Sequence, residues 1–338
     1  MEEGQIPPLS FMDKLNIGGI PLTGHVVLGP MAGVTSLAYR EFMKPFGVAL
    51  SYSEMISDCG LSYHNKKTLD YAKTSHIDRP VGLQLFGFDI RNTAQAIEIL
   101  EAHADYDILD LNFGCPVQKV TKTGAGSAWM KRPLDLYQYV RMVVTKSHKP
   151  VTAKLRLGWD STHINIQEIA PALEEAGVKM ITVHARTAVQ AYSGKPDFNQ
   201  IAHLGSKLSI PLCVSGDIFT PEDALNAMKI ADASLVMVAR GGLGNPELVT
   251  NIENAIEGKP CLPPPSIAKD AEYALRFSQM LCKEKGEHEA VLILRGLLPH
   301  FFTGFPGYKK IRAELSVNPH SFEDLQKLLL GIRDRNHL

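Results

Sequence analysis

The amino-acid sequence predicts an α/β protein, a (β/α)8 TIM barrel followed by a small C-terminal helical domain. Three observations support this prediction. Eight short apolar runs alternate with segments of helical spacing, these units occupy roughly 230 residues, and runs of this kind stop after residue 257.

The eight runs are rich in Val, Ile and Leu, and most end in glycine or a polar residue, as buried parallel strands do. They occupy residues 25–33, 48–55, 80–87, 106–114, 150–158, 179–187, 210–218 and 233–241. Helical spacing between them is clearest at 93–104, 165–177 and 220–231. In the last segment, Thr220 followed by Pro221 and two acids predicts a capped helix start.

Two architectures accommodate eight parallel strands, an open doubly wound sheet and a closed barrel. The number and size of the units favour the barrel. No GxGxxG pattern follows the first run, and its absence weakens the dinucleotide-binding sheet as an alternative.

The chain changes character at "EGKPCLPPPS" (257–266), which is typical of a linker. We therefore predict a catalytic barrel domain over 1–257, a linker over 258–265 and a helical domain over 266–338. Helices are predicted at 267–285, 287–302 and 321–333, and the segment 302–312 is predicted to turn into a further helix.

Composition excludes several classes of protein. The 338 residues are 45% hydrophobic and carry a formal net charge of −1, so no global basicity indicates nucleic-acid binding. The five cysteines include no CxxC pair, which argues against a zinc site or disulfides and favours a cytoplasmic protein with reduced thiols. The N-terminus does not read as a signal peptide, and no window is apolar enough to predict a membrane span.

Candidate site residues are those at the ends of the predicted strands, because active sites of barrels lie at the carboxyl ends of the strands. Polar and special residues stand at all eight ends. They are Pro30, Met31, Ala32, Glu54, Gln84, Asn112, Cys115, Lys154, Arg156, His184, Arg186, Ser215, Gly216, Asp217, Ala239, Arg240 and Gly241.

Lys154 lies within a strand, where an unpaired charge is costly unless an anion or a reaction accounts for it. The alternative is a structural ion pair. His184, on the neighbouring strand, could be a satisfied core histidine, but its proximity to Lys154 favours a functional role. The last two strands end in "SGDI" and "VARGG", where barrels commonly bind phosphate through backbone N–H groups, and Arg240 could pair with that phosphate.

Cys115 stands between Gly114 and Pro116, where the chain must leave the strand, so its thiol is expected at the barrel mouth. It could be a nucleophile or a general acid, and the sequence pattern leaves both open. Four basic residues and no acid lie between Leu111 and Leu134, and a second basic cluster lies in the helical domain. Both would suit a polyanion, although basic runs are more often solvated faces. These residues are Lys119, Lys122, Lys131, Arg132, Lys309, Lys310 and Arg312.

Taken together, these residues resemble the tRNA-dihydrouridine synthases, which are flavin-dependent. The similarity runs in order over roughly residues 20–330 through "LGPMAGVTSLAYR", "DLNFGCPVQKV", "GAGSAWMKRP", "VTAKLRLGW", "ITVHARTAVQAYSGKPDF", "VSGDIFTPEDA" and "GFPGYKKIRAEL". The resemblance implies a barrel that binds FMN, reduction by NADPH or NADH, and tRNA as the partner, with no metal, membrane or obligate protein partner.

The resemblance also implies roles for individual residues. FMN would be bound by Pro30, Met31, Ala32, Gln84, Lys154, His184, Ser215, Gly216, Asp217, Ala239 and Arg240. A hydride would pass from the flavin to C6 of a uridine, and Cys115 would give a proton to C5. Asn112, Lys119 and Arg186 would contact the RNA substrate. A uridine in a folded tRNA must leave its stack to reach the barrel.

The sequence departs from the family pattern in three places. Ala239 replaces a usual glycine, Ser215 replaces a common asparagine, and Arg295 alone remains of a basic trio at the start of the segment 295–307. Three other functions are alternatives: a flavin reductase of a small pyrimidine or enone, a tRNA-binding protein without turnover, and a Schiff-base aldolase that uses Lys154.

Overall fold

In the computed structural model, which describes residues 15–334, all eight apolar runs are strands of one closed parallel barrel. A short antiparallel hairpin, β1 (Asn16–Ile17) and β2 (Ile20–Pro21), precedes it. The barrel strands are β3 (Val26–Leu28), β4 (Leu50–Ser57), β5 (Val81–Phe86), β6 (Ile108–Asn112), β7 (Val151–Arg156), β8 (Ile181–His184), β9 (Leu212–Ser215) and β10 (Leu235–Val238). Each strand pairs with its neighbour in sequence and β10 pairs with β3, so the closed barrel is confirmed and the open sheet is wrong.

Helices connect the strands of the barrel or follow the last of them. They are α1 (Leu37–Met43), α2 (Asp58–Ser62), α3 (Lys66–Asp70), α4 (Ile90–His103), α5 (Gln118–Thr121), α6 (Pro133–Lys146), α7 (Ile166–Glu175), α8 (Pro221–Ala231) and α9 (Glu247–Ile256). The predicted start of α8 is confirmed, with a capping box between Thr220 and Asp223. Helix α4 starts three residues before the predicted segment, because Asp89 accepts hydrogen bonds from the first free N–H groups.

Between residues 266 and 334 the chain forms four α-helices, namely α10 (Ile267–Lys285), α11 (Glu287–Leu297), α12 (Tyr308–Val317) and α13 (Phe322–Arg333). Helix α10 packs against α1 of the barrel through aromatic side chains. The ring of Phe277 lies 5.5 Å from those of Phe42 and Tyr39. Glu284 also accepts a hydrogen bond from the N–H of Ala38 at 2.7 Å. The helical region is therefore attached beside the loop that follows β3. The predicted helices are confirmed, except that α11 ends at Leu297, five residues before the predicted end, and 298–302, which contains Pro299, forms a 3-10 helix. The boundary at 258–265 stays a prediction.

The barrel interior changes from apolar to polar along the strands. An apolar cluster that includes Ile108, Leu235 and Ile17 of the hairpin fills the end where the strands begin. Side chains of a strand alternate between its two faces, so Asp110 and Asn112 share the inward face with Ile108. The polar residues of the interior thus lie on an apolar floor and face the carboxyl ends of the strands.

Candidate active site

A cleft opens at the carboxyl ends of the strands, as the fold predicts. It is lined by nine of the eleven residues predicted to bind FMN, which are Pro30, Met31, Lys154, His184, Ser215, Gly216, Asp217, Ala239 and Arg240. Of the other two, Ala32 lines a neighbouring groove and Gln84 is buried beneath the cleft. The structure thus brings most of the predicted set together, and their shared role stays a prediction.

Lys154 is a cation in the barrel without a direct partner. Its ammonium forms no hydrogen bond or ion pair with other residues between 15 and 334. Burial, reinforced by the positive charge of Arg156, lowers its pKa to about 8. An unpaired cation in this position favours an anionic or electron-rich ligand in the cleft.

His184 is held as a neutral imidazole. Burial lowers its pKa to about 2, and the positive charges of Lys154, Arg156, Arg186 and Arg240 act in the same direction. Its Nε2 lies 3.4 Å from Nη1 of Arg186, which can only donate, so Nε2 is the acceptor and Nδ1 carries the proton. His184 can therefore donate one hydrogen bond, and it is not an acid at neutral pH.

The loops after β9 and β10 meet at an ion-paired carboxylate. Asp217 has a left-handed backbone with φ of 46°. It accepts from Arg240 at 2.6 Å and from Arg186 at 3.0 and 2.5 Å. These partners keep the pKa of Asp217 below its usual value. Gly241 is required for the approach of the two loops, because a Cβ there would lie 1.9 Å from the carbonyl oxygen of Ile218.

Arg186 was predicted to contact substrate, but its side chain is only 1% exposed. Besides Asp217, it donates to the carbonyls of Ser193 and Gly194, at 3.1 and 2.7 Å. These bonds tie the segment after β8 to the β9 loop. The geometry therefore favours a positioning role, and a direct substrate contact by Arg186 stays a prediction.

The main chain around Cys115 is held on three sides. The Cys115 N–H donates to Oδ1 of Asn112 at 2.9 Å, and the Cys115 carbonyl accepts from the N–H of Ser127 at 3.0 Å. The Gly114 carbonyl accepts from Nε of Arg156 at 2.7 Å. Gly126 permits the close approach of the following segment, because a Cβ there would lie 2.7 Å from the Cys115 carbonyl oxygen. This rigid loop places a cysteine at the mouth.

The thiol of Cys115 is kept protonated. Burial raises its pKa above the usual value, although the Val117 N–H and the charges of Arg156 and Lys154 act against this. No histidine or carboxylate among the described residues hydrogen-bonds to the thiol. A buried thiol without a base is poorly suited to nucleophilic attack and well suited to holding a proton.

Aromatic and basic side chains surround the mouth. Tyr192 is 56% exposed and lies beside the guanidinium groups of Arg156 and Arg240, 5.6 and 4.8 Å from its ring centre. Lys119 and Lys122 are exposed in and just after α5. Two other members of the basic run are engaged in cation–π contacts: Lys131 over Trp159 and Arg132 over Phe88 and Trp129.

A groove of about 510 Å³ adjoins the mouth and separates it from α10 and α11. It is lined on the barrel side by Ala32, Gly33 and Glu54, and on the helical side by residues including Phe277 and Lys285. Within residues 15–334 no group of three or more His, Cys, Asp or Glu side chains could hold a metal ion. The described helices are all too short or too polar to cross a membrane.

The structure adds residues to which the sequence assigned no role. In the sequence, Arg156 is recognisable only as a strand-end residue and Tyr192 only as a member of the family motif. Asp110 has no predicted role, although an acid within the apolar run "ILDLN" is a visible signal. Tyr192 had no such signal, because the fold of the loop after β8 determines where it lies.

Comparison with known families agrees with this geometry. A family model described as dihydrouridine synthase matches residues 27–334. The chain is 34% identical over 310 residues to a probable tRNA-dihydrouridine synthase 1 from Synechocystis sp., which covers 91% of this chain and 86% of that protein. It is 32% identical over 295 residues to tRNA-dihydrouridine synthase B from Pasteurella multocida, with coverage of 86% and 87%.

Similarity to solved structures concerns the fold alone. A 6-hydroxypseudooxynicotine amine oxidase from Pseudomonas geniculata superposes with a TM-score of 0.56 at 12% identity over 73% of this chain. A histamine dehydrogenase from Rhizobium sp. superposes with a TM-score of 0.53 at 11% identity over 79% of this chain. The chain spans about half the length of both structures, at 49% and 50%.

Proposed function

Because the chain belongs to the dihydrouridine synthase family, we propose that it is a flavin-dependent oxidoreductase that reduces the C5–C6 double bond of uridine in tRNA. The observation that supports this most directly is the protonated, base-free thiol of Cys115 on a clamped loop beside a cleft that contains the unpaired cation Lys154. A reduction that needs one proton donor and one electron-rich cofactor requires both features.

The residues of the cleft fit FMN. The ammonium of Lys154 has no counter-ion among residues 15–334, and it would compensate for negative charge on a flavin ring. Arg240 is held by Asp217 through one nitrogen only, Nη2, so the rest of its guanidinium can bind phosphate. His184 would donate from Nδ1 to an acceptor on the cofactor. Pro30 and Met31 would line one side of the ring.

Bound FMN, reduced by NADPH or NADH, would supply the electrons for reduction of the uracil ring. Cys115 would hold its proton until the reaction and then release it to C5. Asn112 has its oxygen occupied by main-chain N–H groups and one Nδ2 hydrogen by Gln84, so its second Nδ2 hydrogen would donate to a carbonyl oxygen of the base. Arg156 would keep the Cys115 loop in place through the Gly114 carbonyl.

The partner would be tRNA in the cytoplasm. The target uridine would leave its stack and enter the mouth, near the exposed Tyr192. The exposed lysines Lys119, Lys309 and Lys310 would contact the RNA backbone. The groove of Ala32 and Glu54, which lies between barrel and helical region, would leave room for the flanking RNA.

The test is dihydrouridine formation from unmodified tRNA with NADPH, for wild type, Cys115→Ala and the matched control Cys261→Ala, which changes an exposed cysteine of the linker. Wild type and the control should form dihydrouridine, and Cys115→Ala should lose about 100-fold or more in rate, as expected for a general acid. A yellow wild type that oxidises NADPH but leaves several tRNAs unchanged would contradict the proposal and favour a small substrate. Equal rates for wild type and Cys115→Ala would refute the role of the thiol.

A further inference from the structure

A chain of buried side-chain hydrogen bonds runs from the barrel interior to the Cys115 loop. Thr152 Oγ1 donates to Oδ1 of Asp110 and Gln84 Nε2 donates to Oδ2, both at 2.6 Å. Asn112 Nδ2 donates to Oε1 of Gln84 at 2.7 Å, and Asn112 Oδ1 accepts from the Cys115 N–H at 2.9 Å. Gln84, Asp110, Asn112 and Thr152 are at most 7% exposed, so water does not compete for these bonds.

The register of the strands produces this arrangement. Gln84 of β5 pairs with Asp110 of β6, and Asp110 pairs in turn with Thr152 of β7. The three side chains therefore lie side by side in one layer of the barrel. Asn112, two residues after Asp110, lies one layer nearer the mouth and pairs with Lys154.

The two ends of the chain together allow only one direction of hydrogen bonding. The Cys115 N–H can only donate, so Asn112 must turn its oxygen outward and its nitrogen toward Gln84. An ionised carboxylate can only accept, so Gln84 must turn its nitrogen toward Asp110. A rotated amide at either position would leave two buried acceptors or two buried donors facing each other, which is costly.

We propose that Asp110 is a positioning residue of the reaction: its carboxylate is the fixed inner acceptor of the Gln84–Asn112 amide chain, which orients Asn112 and the Cys115 loop. The role of Asp110 in the reaction rests on the proposed function, whereas the direction of the hydrogen-bond chain does not depend on it. Burial raises the pKa of Asp110 to about 6, so the group is an ionised acceptor at neutral pH.

The test is a cycle of variants that reverses the direction of the chain. In Asn112→Asp the new carboxylate accepts from the Cys115 N–H, but its other oxygen faces Oε1 of Gln84. If the Gln84 amide rotates to donate to position 112, its oxygen faces the carboxylate of Asp110 instead. In Asp110→Asn/Asn112→Asp the whole chain can run the other way, because the amide at position 110 donates to Gln84 and accepts from Thr152. The second substitution should therefore rescue the first.

We expect Asn112→Asp to lower kcat, per folded protein, roughly 10- to 100-fold and to shift the unfolding equilibrium toward the unfolded state by a similar factor. It should also raise the KM for tRNA, because the donor to the base is lost. The double variant should recover about tenfold in kcat and in the unfolding equilibrium, while the KM stays raised. It should stay below wild type in kcat, because a carboxylate beside Cys115 opposes loss of the proton. Asp110→Asn alone should be mild, because the hydroxyl of Thr152 can turn to accept.

Two controls distinguish an effect of hydrogen-bond direction from an effect of carboxylate charge. Asp58→Asn removes another buried carboxylate that has no contact with Gln84, and its effect should simply add to that of Asn112→Asp. Repeating the cycle with Gln84→Leu should abolish the rescue, whereas a through-space repulsion between two carboxylates would persist. Additive effects in the first cycle, or rescue that survives Gln84→Leu, would overturn the proposal. Urea unfolding measures the coupling between positions 110 and 112 without any reaction. A wild type that makes no dihydrouridine would therefore refute the proposed function, while the unfolding data would still test the hydrogen-bond chain.

Discussion

Replacing Lys154 with methionine should stabilise the cofactor-free protein. Lowering a lysine pKa from 10.5 to about 8 corresponds to roughly 3 kcal/mol at about 1.4 kcal/mol per pH unit. Burial is the first cause of this shift and the charge of Arg156 the second, so the folded state carries an uncompensated cation. Methionine keeps the apolar stem and removes the charge. We therefore expect Lys154→Met to raise the free energy of unfolding by about 2–3 kcal/mol at pH 7.

The stabilisation by Lys154→Met should depend on pH. A base whose folded pKa lies below its unfolded pKa costs stability while both states are protonated, and this cost falls as pH rises through the folded pKa. The difference between Lys154→Met and wild type should therefore be largest below pH 8, fall to about 1.5 kcal/mol at pH 9.5, and vanish above pH 10.5.

The assay is urea unfolding of FMN-free protein at pH 7 and pH 9.5, with Lys122→Met as the control. Lys122 is exposed, and its substitution should change stability by less than about 0.5 kcal/mol at both pH values. FMN affinity, measured by flavin fluorescence, should fall in Lys154→Met and stay unchanged in the control. A Lys154→Met protein that is less stable than wild type at pH 7, or equally shifted at both pH values, would refute the reasoning.

Three further predictions concern the mouth and the helical region. The raised pKa of Cys115 predicts that the alkaline fall of the single-turnover rate is shifted above the usual thiol pKa of 9.0; a fall that begins at pH 7 would contradict a protonated thiol. Arg156→Lys should lose the bond to the Gly114 carbonyl and lower kcat about tenfold with FMN content unchanged, which turnover and flavin absorbance measure together. Lys309→Glu/Lys310→Glu should weaken tRNA binding and flatten its salt dependence in a titration by fluorescence anisotropy, and an unchanged salt slope would exclude these lysines from the interface.

The fold was predictable from the sequence because buried parallel strands are nearly continuous apolar runs. "PVTAKLRLG" is recognisable as a strand despite Lys154 and Arg156, since Val151, Ala153 and Leu155 alternate with them. Local rules also located the helix ends, as at Thr220. The start of α4 at Ile90 was missed because the cap at Asp89 lies outside the apolar pattern.

The residues of the site could be predicted from the sequence, whereas most of the contacts between them could not. Strand ends converge in any barrel, so Lys154, His184 and Arg240 could be grouped without coordinates. The partners of Arg186 could not be inferred, because they come from a loop whose path has no periodic pattern. Whether a buried arginine binds a ligand or the protein depends on that path.

The balance of charge in the barrel mouth argues for a ligand that the protein does not itself supply. Lys154 and Arg156 of β7 and Arg186, just after β8, are cations of the barrel mouth. Asp110 acts on the charge of Lys154, and Asp217 pairs with Arg186. Asp217 forms an ion pair with Arg186, and Asp110 accepts hydrogen bonds from the uncharged side chains of Gln84 and Thr152. Neither carboxylate forms an ion pair with Lys154. Arg156 is satisfied by main-chain carbonyls, yet burial still lowers its pKa to about 10. Such an excess of buried positive charge lowers the stability of the empty fold, and it stabilises an anionic cofactor and an RNA substrate when both are bound.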